Sequence, residues 1–462
     1  MKDIFLVNYS VRGIKTLDEL VSLSFYKKTI SNELNTQEYN IKGIYGMNGS
    51  GKSAIVTSVD ILKNLLVNPS YLNNPIAQKN LEAIVNKKIG KLYMEADFIA
   101  EIQSNTLYFR YCITLAKDAL GKYVIAVEEL SFKNATSKKD NMIPIFKVVD
   151  GEVTLLNGCD KDEDRNVILK KTVNLLSTAS MCVLIYEKIF VEVVKKQLMD
   201  LNFFNICSFL LYCFGKHLHV YLDVSDDHRD YFIDNSNDVF TDGDKNSIDL
   251  DSLLDHFIAM DSDQIDIISI SSNYIAKGSY KDFEKKIKKL CEFLQIFKSD
   301  LKGIEIDRKE DRNIYVCGLI MVYDSYKIHA EFESTGIKKL IRLYAYLKEM
   351  VNGGIVFIDE FDSNLHDVYL CALLEYLMEY GEGQLCFTTH NVGPMDVLKK
   401  NKKSIDFLSL DHRVYPWTTN GNYSPSKLYR NGMIEGSPFN IDSTDFIGVF
   451  YTEGEVDEWA SS

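Results

Sequence analysis

The segment that most limits how this chain can fold runs Gly46-Met47-Asn48-Gly49-Ser50-Gly51-Lys52-Ser53, a match without departure to G-x-x-x-x-G-K-[ST]. Ile41 to Tyr45 before it reads as a short buried strand, and KSAIVTSVDILKNLL after it reads as a helix beginning at Lys52. A glycine loop between strand and helix lets successive backbone N–H groups curl around an anion, with the positive end of the helix aimed at it. The expected occupant is a nucleotide phosphate. Gly46, Asn48, Gly49, Ser50 and Gly51 would supply backbone, Lys52 would neutralise the outer phosphates, and the Ser53 hydroxyl would ligate Mg²⁺.

Such a loop needs a carboxylate on a neighbouring strand, and GGIVFIDEFDSNLH supplies candidates. Ile355 to Ile358 is uninterruptedly apolar, as a strand buried on both faces should be. Asp359 and Glu360 follow at its end, where an open α/β sheet places its ligand. Asp359 is expected to hold Mg²⁺ or its water, and Glu360 to polarise the attacking water. A second strand, Leu385 to Thr388, delivers Thr389 and His390 in the same way, making His390 a candidate catalytic group. In EFESTGIKKLIRLYAYL a strand is expected to stop at Phe332 and a helix to open at Ser334-Thr335-Gly336. Ser334 and the N–H groups near Gly336 form either a second anion site or a plain N-cap; the residues leave both open.

The rest of the chain places these pieces. At 462 residues it exceeds one simple core, so two domains or one with a large insertion are expected. LYMEADFIAEI, TLYFRYCITLA and KYVIAVEELSF alternate as antiparallel strands. Asn134 to Asp150 is read as a loop or hairpin, and apolar spacing turns helical from about Asp164 to Leu222. Asp223 to Asp255 is acidic and lacks the calcium-loop pattern, which makes it a solvated loop. Asp282 to Phe297 is an amphipathic helix. Its lysines, Lys285, Lys286, Lys288 and Lys289, are either a solvated face or a nucleic-acid contact. Strands GIEIDRKE, NIYVCGLIMVYD and YKIHAEF follow.

A net charge of −14 argues against a surface coated with nucleic acid but leaves room for a local basic patch. The nine cysteines stand singly, and MKDIFLVNYS has no long apolar core, so a cytoplasmic chain with reduced thiols is expected. Phe203 to Gly215 is the most apolar run and is too short to span a membrane, which takes roughly 20 residues.

The order GMNGSGKS, ESTGIKKL, IVFIDEFDSNLH, FTTHN resembles the ABC-type ATPase core of the wider AAA family, in the soluble branch with the SMC, RecF and OLD-like proteins. The S-T-G-I-K variant is similar to stand-alone ATPases of bacterial anti-phage systems such as Septu and PARIS. That resemblance implies an α/β fold: a mixed sheet with a P-loop, an antiparallel β-subdomain and a largely helical inserted domain. The implied boundaries are 1–132 and 301–415 for the two parts of the ATPase head, 133–300 for the insertion and 416–462 for a tail that docks a partner. It further implies ATP and Mg²⁺ as cofactors. Ser334 and Gly336 would act on the ATP of a second copy, Asp362 would lie at the interface between copies, and His390 would contact the γ-phosphate. Gln103 falls in the region of the glutamine loop. Val449 to Trp459 resembles the opening of a TOPRIM nuclease module, but too few residues follow it in this sequence to complete one.

The leading expectation is therefore an ATP-driven switch in a homodimer or larger even-numbered oligomer. It would control a separate nuclease effector of HNH or TOPRIM type in phage defence, with nucleic acid a candidate partner and no membrane involved. The alternatives are a RecF-like DNA-maintenance ATPase and an ATP-bound scaffold with little hydrolysis.

Overall fold

The computed structural model describes residues 4–27, 30, 35–102, 105–137, 141–187, 202–222, 267–312, 314–418 and 423–437. Gln103, the acidic stretch Asp223 to Asp255 and the tail Val449 to Trp459 lie outside the described residues. Three sheets organise the rest.

The first sheet is antiparallel throughout. It contains β1 (Ile4–Arg12), β2 (Val21–Ser24), β4 (Lys91–Ile102), β5 (Asn105–Lys117), β6 (Tyr123–Asn134), β7 (Ile143–Val149) and β8 (Glu152–Leu156), in the order β2-β1-β4-β5-β6-β7-β8. It is wider than the three strands expected from the sequence. Of Asn134 to Asp150, Ile143–Val149 form β7, which pairs antiparallel with β6 and β8.

The second sheet holds the nucleotide loop. Its order is β17-β16-β3-β15-β14-β9, with β3 (Ile41–Tyr45), β9 (Leu218–Tyr221), β14 (Ile355–Ile358), β15 (Gln384–Thr388), β16 (Ile405–Leu408) and β17 (Val414–Pro416). Every pairing is parallel except that of β16 with β17, so the sheet is mixed. β3, β9, β14, β15 and β16 are buried along their whole length, which is why they read as apolar runs rather than alternations. β9 corrects the reading of Asp164 to Leu222 as helical. Four residues at the end of an apolar helix give no period of their own, and it is pairing with β14 that makes them a strand.

Helices cover these sheets. α1 (Lys52–Val67) leaves β3, and α2 (Pro75–Ile84) follows it. α3 (Asp162–Thr172), α4 (Met181–Ile185) and α5 (Phe203–His217) complete one large core with α1 and the antiparallel sheet. Phe214 of α5 stacks on Phe98 of β4 at 4.4 Å, so the most apolar run is a buried helix. Among the described residues no helix is long and apolar enough to cross a membrane. The segment 133–300 thus supplies helices, but it also gives β7, β8 and β9 to the sheets of the head.

The third sheet is a small antiparallel one, β10 (Asn273–Ala276), β11 (Gly303–Asp311), β12 (Ile314–Val322) and β13 (Lys327–His329). The expected strand through Phe332 ends early, because Ala330 to Phe332 turn as a 3-10 helix. α6 (Tyr280–Phe297) lies on this sheet through Phe283, Ile287, Leu290 and Leu294, the apolar face the spacing predicts. α7 (Thr335–Val351) joins two cores. Ile337, Leu340 and Ile341 belong to the small sheet, while Leu343, Tyr346, Leu347 and Met350 belong to the parallel sheet. α8 (Asp367–Tyr380), α9 (Pro394–Leu398) and α10 (Pro425–Arg430) complete the described helices.

Two buried polar ties hold the sheets, one between the first and second and one within the second. The Gln384 side chain exchanges hydrogen bonds with the backbone N–H and carbonyl of Leu6 at 2.7 and 3.0 Å, joining β15 to β1. Lys42 of β3 pairs with Asp406 of β16 at 2.6 Å beneath the glycine loop. Removing one partner of such a buried pair leaves an uncompensated charge and is strongly destabilising.

Candidate nucleotide site

The C-terminal ends of β3, β14 and β15 lie side by side, and each delivers part of the site. From β3 the chain enters the glycine loop. A Cβ on Gly46 would sit 2.3 Å from the Leu408 carbonyl oxygen, so only glycine lets the loop pass the end of β16. Gly51 is the N-cap of α1 at φ +103°, in the left-handed region, and its missing side chain makes room for Leu17. Asn48 and Gly49 form the exposed tip, and Thr16 reaches the Gly49 carbonyl at 3.5 Å. The first turn of α1 has N–H groups without intrahelical acceptors, as every helix start does. The Ser50 hydroxyl is buried with no hydrogen-bond partner. Buried polar atoms are normally paired, so an orphan at this point marks a cradle built for a polar guest.

Lys52 closes the loop. Its ammonium donates to the carbonyls of Gly46 and Met47 at 2.8 and 3.0 Å. Burial lowers its pKa to about 8, against the pull of Asp359, Glu360 and Asp362. A lysine parked on loop carbonyls and facing three carboxylates has a ready positive charge for an incoming phosphate.

At the end of β14, Thr388 of β15 organises the carboxylates. Its hydroxyl donates to Asp359 Oδ1 at 2.5 Å and accepts from the Glu360 N–H at 2.8 Å. Glu360 has φ +48°, a conformation rare outside glycine, so the backbone there is held and not relaxed. Asp362 follows in the same electrostatic neighbourhood, acting on both Lys52 and His390. His390 stands exposed past the end of β15. Desolvation, then Lys52, lower its pKa, so its imidazole is neutral at pH 7 and able to donate or accept. The structure therefore brings Lys52, Asp359, Glu360, Asp362 and His390 within mutual electrostatic range. Ser53 follows Lys52 in the first turn of α1.

Ser334 and Gly336 stand elsewhere in this set. Ser334 caps α7, accepting from Ile337 N at 3.4 Å, which is the N-cap alternative read from the sequence. Its side chain is also exposed, so capping does not exclude a second contact. Gly336 packs against the segment after Asp362: a Cβ there would lie 2.6 Å from the Asn364 carbonyl oxygen. The Thr335 hydroxyl donates to Asn364 Oδ1 at 3.2 Å.

Three residues were missed by sequence reasoning. Thr388 is the first, hidden because its role depends on β15 lying between β3 and β14. Lys339 is the second. It is buried on α7, donates to the Glu360 carbonyl at 2.5 Å and to the Ser363 hydroxyl, and lies over the Tyr221 ring. A lysine buried on an otherwise apolar helix face is the signal that could have found it. Lys15 is the third. In the β1–β2 turn at φ +48°, it reaches the Thr57 hydroxyl of α1 at 3.2 Å and feels the charge of Asp359.

The donor set fits Mg²⁺ bound with a nucleotide. Among the described residues no cluster of three or more His, Cys, Asp or Glu forms a closed metal cage. One hydroxyl and one carboxylate, Ser53 and Asp359, are what Mg²⁺ uses when phosphates and water supply its other ligands. None of the nine cysteines is in a disulfide, and all are buried or half-buried.

Comparison with curated proteins gives no match. Residues 226–396 match the family described as AAA domain, putative AbiEii toxin, Type IV TA system. The matched span holds Ser334, Gly336, Asp359, Glu360, Asp362 and His390, while the glycine loop lies before it. The mixed α/β architecture is compatible with that core, and the match supports an AAA/ABC-type ATPase.

Proposed function

We propose that the chain is a Mg²⁺-dependent ATPase of ABC type in which two copies close around two ATP molecules, and that closure and reopening switch a separate effector. The carrying observation is the convergence of Lys52, Asp359, Glu360, Asp362 and His390 beyond the C-terminal ends of β3, β14 and β15. Backbone N–H groups of Gly49 to Ser53 and the Lys52 ammonium hold the phosphates. Mg²⁺, held by Ser53 and Asp359, would neutralise charge developing on the transferred phosphoryl group. Glu360 accepts a proton from the attacking water, its carboxylate aimed by the bonds that Thr388 and Lys339 make to its backbone. His390, neutral, donates to the γ-phosphate.

Ser334 and Gly336 open α7 on an exposed face, and the resemblance assigns them to the nucleotide of the second copy. Neither copy then has a complete site alone, which links ATP to assembly. The toxin-like family and the S-T-G-I-K variant favour a role in bacterial defence, with a nuclease of HNH or TOPRIM type as the controlled effector. The experiment is the solution mass of the purified chain by light scattering, with and without ATP and Mg²⁺, for wild type and Glu360→Gln. The expected result is an even-numbered assembly that ATP tightens in the variant, with turnover lost. A monomer under every condition would overturn self-assembly, and normal turnover in Glu360→Gln would remove Glu360 as the base.

A further inference from the structure

A second candidate site lies on α7, away from those strand ends. Between α6 and α7 lies a half-open cavity of about 160 Å³. Its apolar walls are Ile268, Ala345 and the ring of Tyr344. Lys285 and Lys289 of α6 and Lys348 of α7 stand on its rim, all exposed. Lys286 also lines it, and among the described residues Glu349 is the one acidic side chain that does. Four lysines and one glutamate thus line it on a chain whose net charge is −14.

We propose that this cavity takes one base of a single-stranded nucleic acid against Tyr344, with the flanking phosphates on Lys285, Lys289 and Lys348. Four observations carry it. First, the ion pairs that the rim lysines make are local and exposed. Lys285 pairs with Asp282 at 3.0 Å and Lys289 with Glu292 at 2.7 Å, both one turn apart on the same helix and open to water. Such exposed pairs are weak, screened by water and salt, and yield readily to a phosphate. Second, the lining joins an aromatic face to ammonium groups, the pairing by which proteins hold single strands. Third, the cavity is smaller than the roughly 300–1,000 Å³ of a pocket that swallows a whole small ligand. It has room for a ring and leaves sugar and phosphate outside. Fourth, exposed lysines stand beside those of the cavity on α6: Lys281, one turn before Lys285, and Lys288, next to Lys289. From Lys281 to Lys289 the row covers about 12 Å at 1.5 Å per residue, which suits a polyanion better than a single phosphate.

The site reaches beyond binding. Tyr344 and Lys348 lie on the helix whose first turns carry Ser334 and Lys339. A strand seated here rests on the element that holds the Glu360 backbone at its other end.

The test is fluorescence anisotropy of the full chain with a labelled oligothymidylate. Wild type and Lys52→Ala are compared without ATP, so that binding at the glycine loop is separated from binding here. Both should bind alike at low salt. The triple variant Lys285→Glu, Lys289→Glu, Lys348→Glu should bind at least about tenfold more weakly. The slope of log affinity against log salt should fall by about 0.7 for each phosphate that no longer meets a lysine. Tyr344→Ile should weaken the single strand by about fivefold or more without changing that slope, and should leave duplex binding unaffected. Circular dichroism melts check that each variant folds. Wild-type affinity in the triple variant, or no binding by wild type at low salt, would overturn the site. Displacement of the strand by AMP at equal nucleotide concentration would overturn the strand as occupant and assign the site to a free nucleotide. Equal affinity for duplex with no Tyr344 effect would overturn the base-in-cavity geometry.

Discussion

At the scale of single residues, the charge state of Lys52 governs the first contact with nucleotide. Burial holds its pKa at about 8 in the free chain. Below that value the ammonium is present and attracts phosphate; above it the neutral amine does not. ATP affinity is therefore expected to be flat up to about pH 7.5 and to fall about tenfold per pH unit above 8. Titration of fluorescent ATP across pH 7 to 9.5 reads this directly. Lys52→Arg should bind more weakly but lose the pH dependence, since guanidinium stays charged throughout. A flat profile in wild type would mean that another cation, with Lys15 the nearest candidate, makes the first contact. Lys339 supports a second prediction. Lys339→Met leaves the Glu360 carbonyl and the Ser363 hydroxyl without their buried donor, at a cost of about 1–3 kcal/mol of stability. If the lysine also aims Glu360, turnover should drop by about tenfold or more while the ATP dissociation constant holds, and Lys339→Arg should restore part of it. Loss of stability with unchanged turnover would make Lys339 structural only.

At the scale of elements, α7 decides whether the site is shared. Its N-cap serves a local need and, by resemblance, a distant one, and the two separate by charge. Ser334→Asp preserves the cap, because aspartate is among the best N-cap residues. It also places a negative charge where a second copy's phosphates would arrive. The melting temperature should stay within a few degrees of wild type while ATP-dependent assembly is lost. Ser334→Ala removes both the cap and the hydroxyl, costing about 1 kcal/mol of stability and weakening assembly less than the repelling aspartate does. Normal assembly in Ser334→Asp would reduce Ser334 to a cap. The same helix shows what a sequence can convey. The glycine loop and the carboxylate strand were legible because each is a local pattern, with its function carried within about ten residues. Thr388, Lys339 and the tight passage of Gly336 past Asn364 were not. Their meaning depends on which strand lies beside β14 and which loop crosses the start of α7. β9 was missed for a related reason: its strand state comes from β14, more than a hundred residues away in sequence.

At the scale of the whole molecule, the question is whether two chains exchange parts of their sites. Chain order gives this a physical form. The glycine loop and Ser334 lie nearly three hundred residues apart in sequence, and α7 carries Ser334 on an exposed surface. Two defects, Lys52→Ala and Ser334→Asp, then damage different halves of each composite site. A pair of identical Lys52→Ala chains has both sites broken, and so does a pair of Ser334→Asp chains. In a mixed pair both defects fall in one site, and the other site joins an intact Lys52 to an intact Ser334. Random mixing makes half of all pairs mixed, and half of their sites whole, so turnover should return to about one quarter of wild type when the sites act independently. The measurement is phosphate release from each variant alone and from an equimolar mixture allowed to exchange. ATP-dependent mass should recover in the mixture as well. If neither recovers, the residues do not meet across chains. The site would then be completed within one chain or by a different protein, and the link between ATP and self-assembly would fall with it.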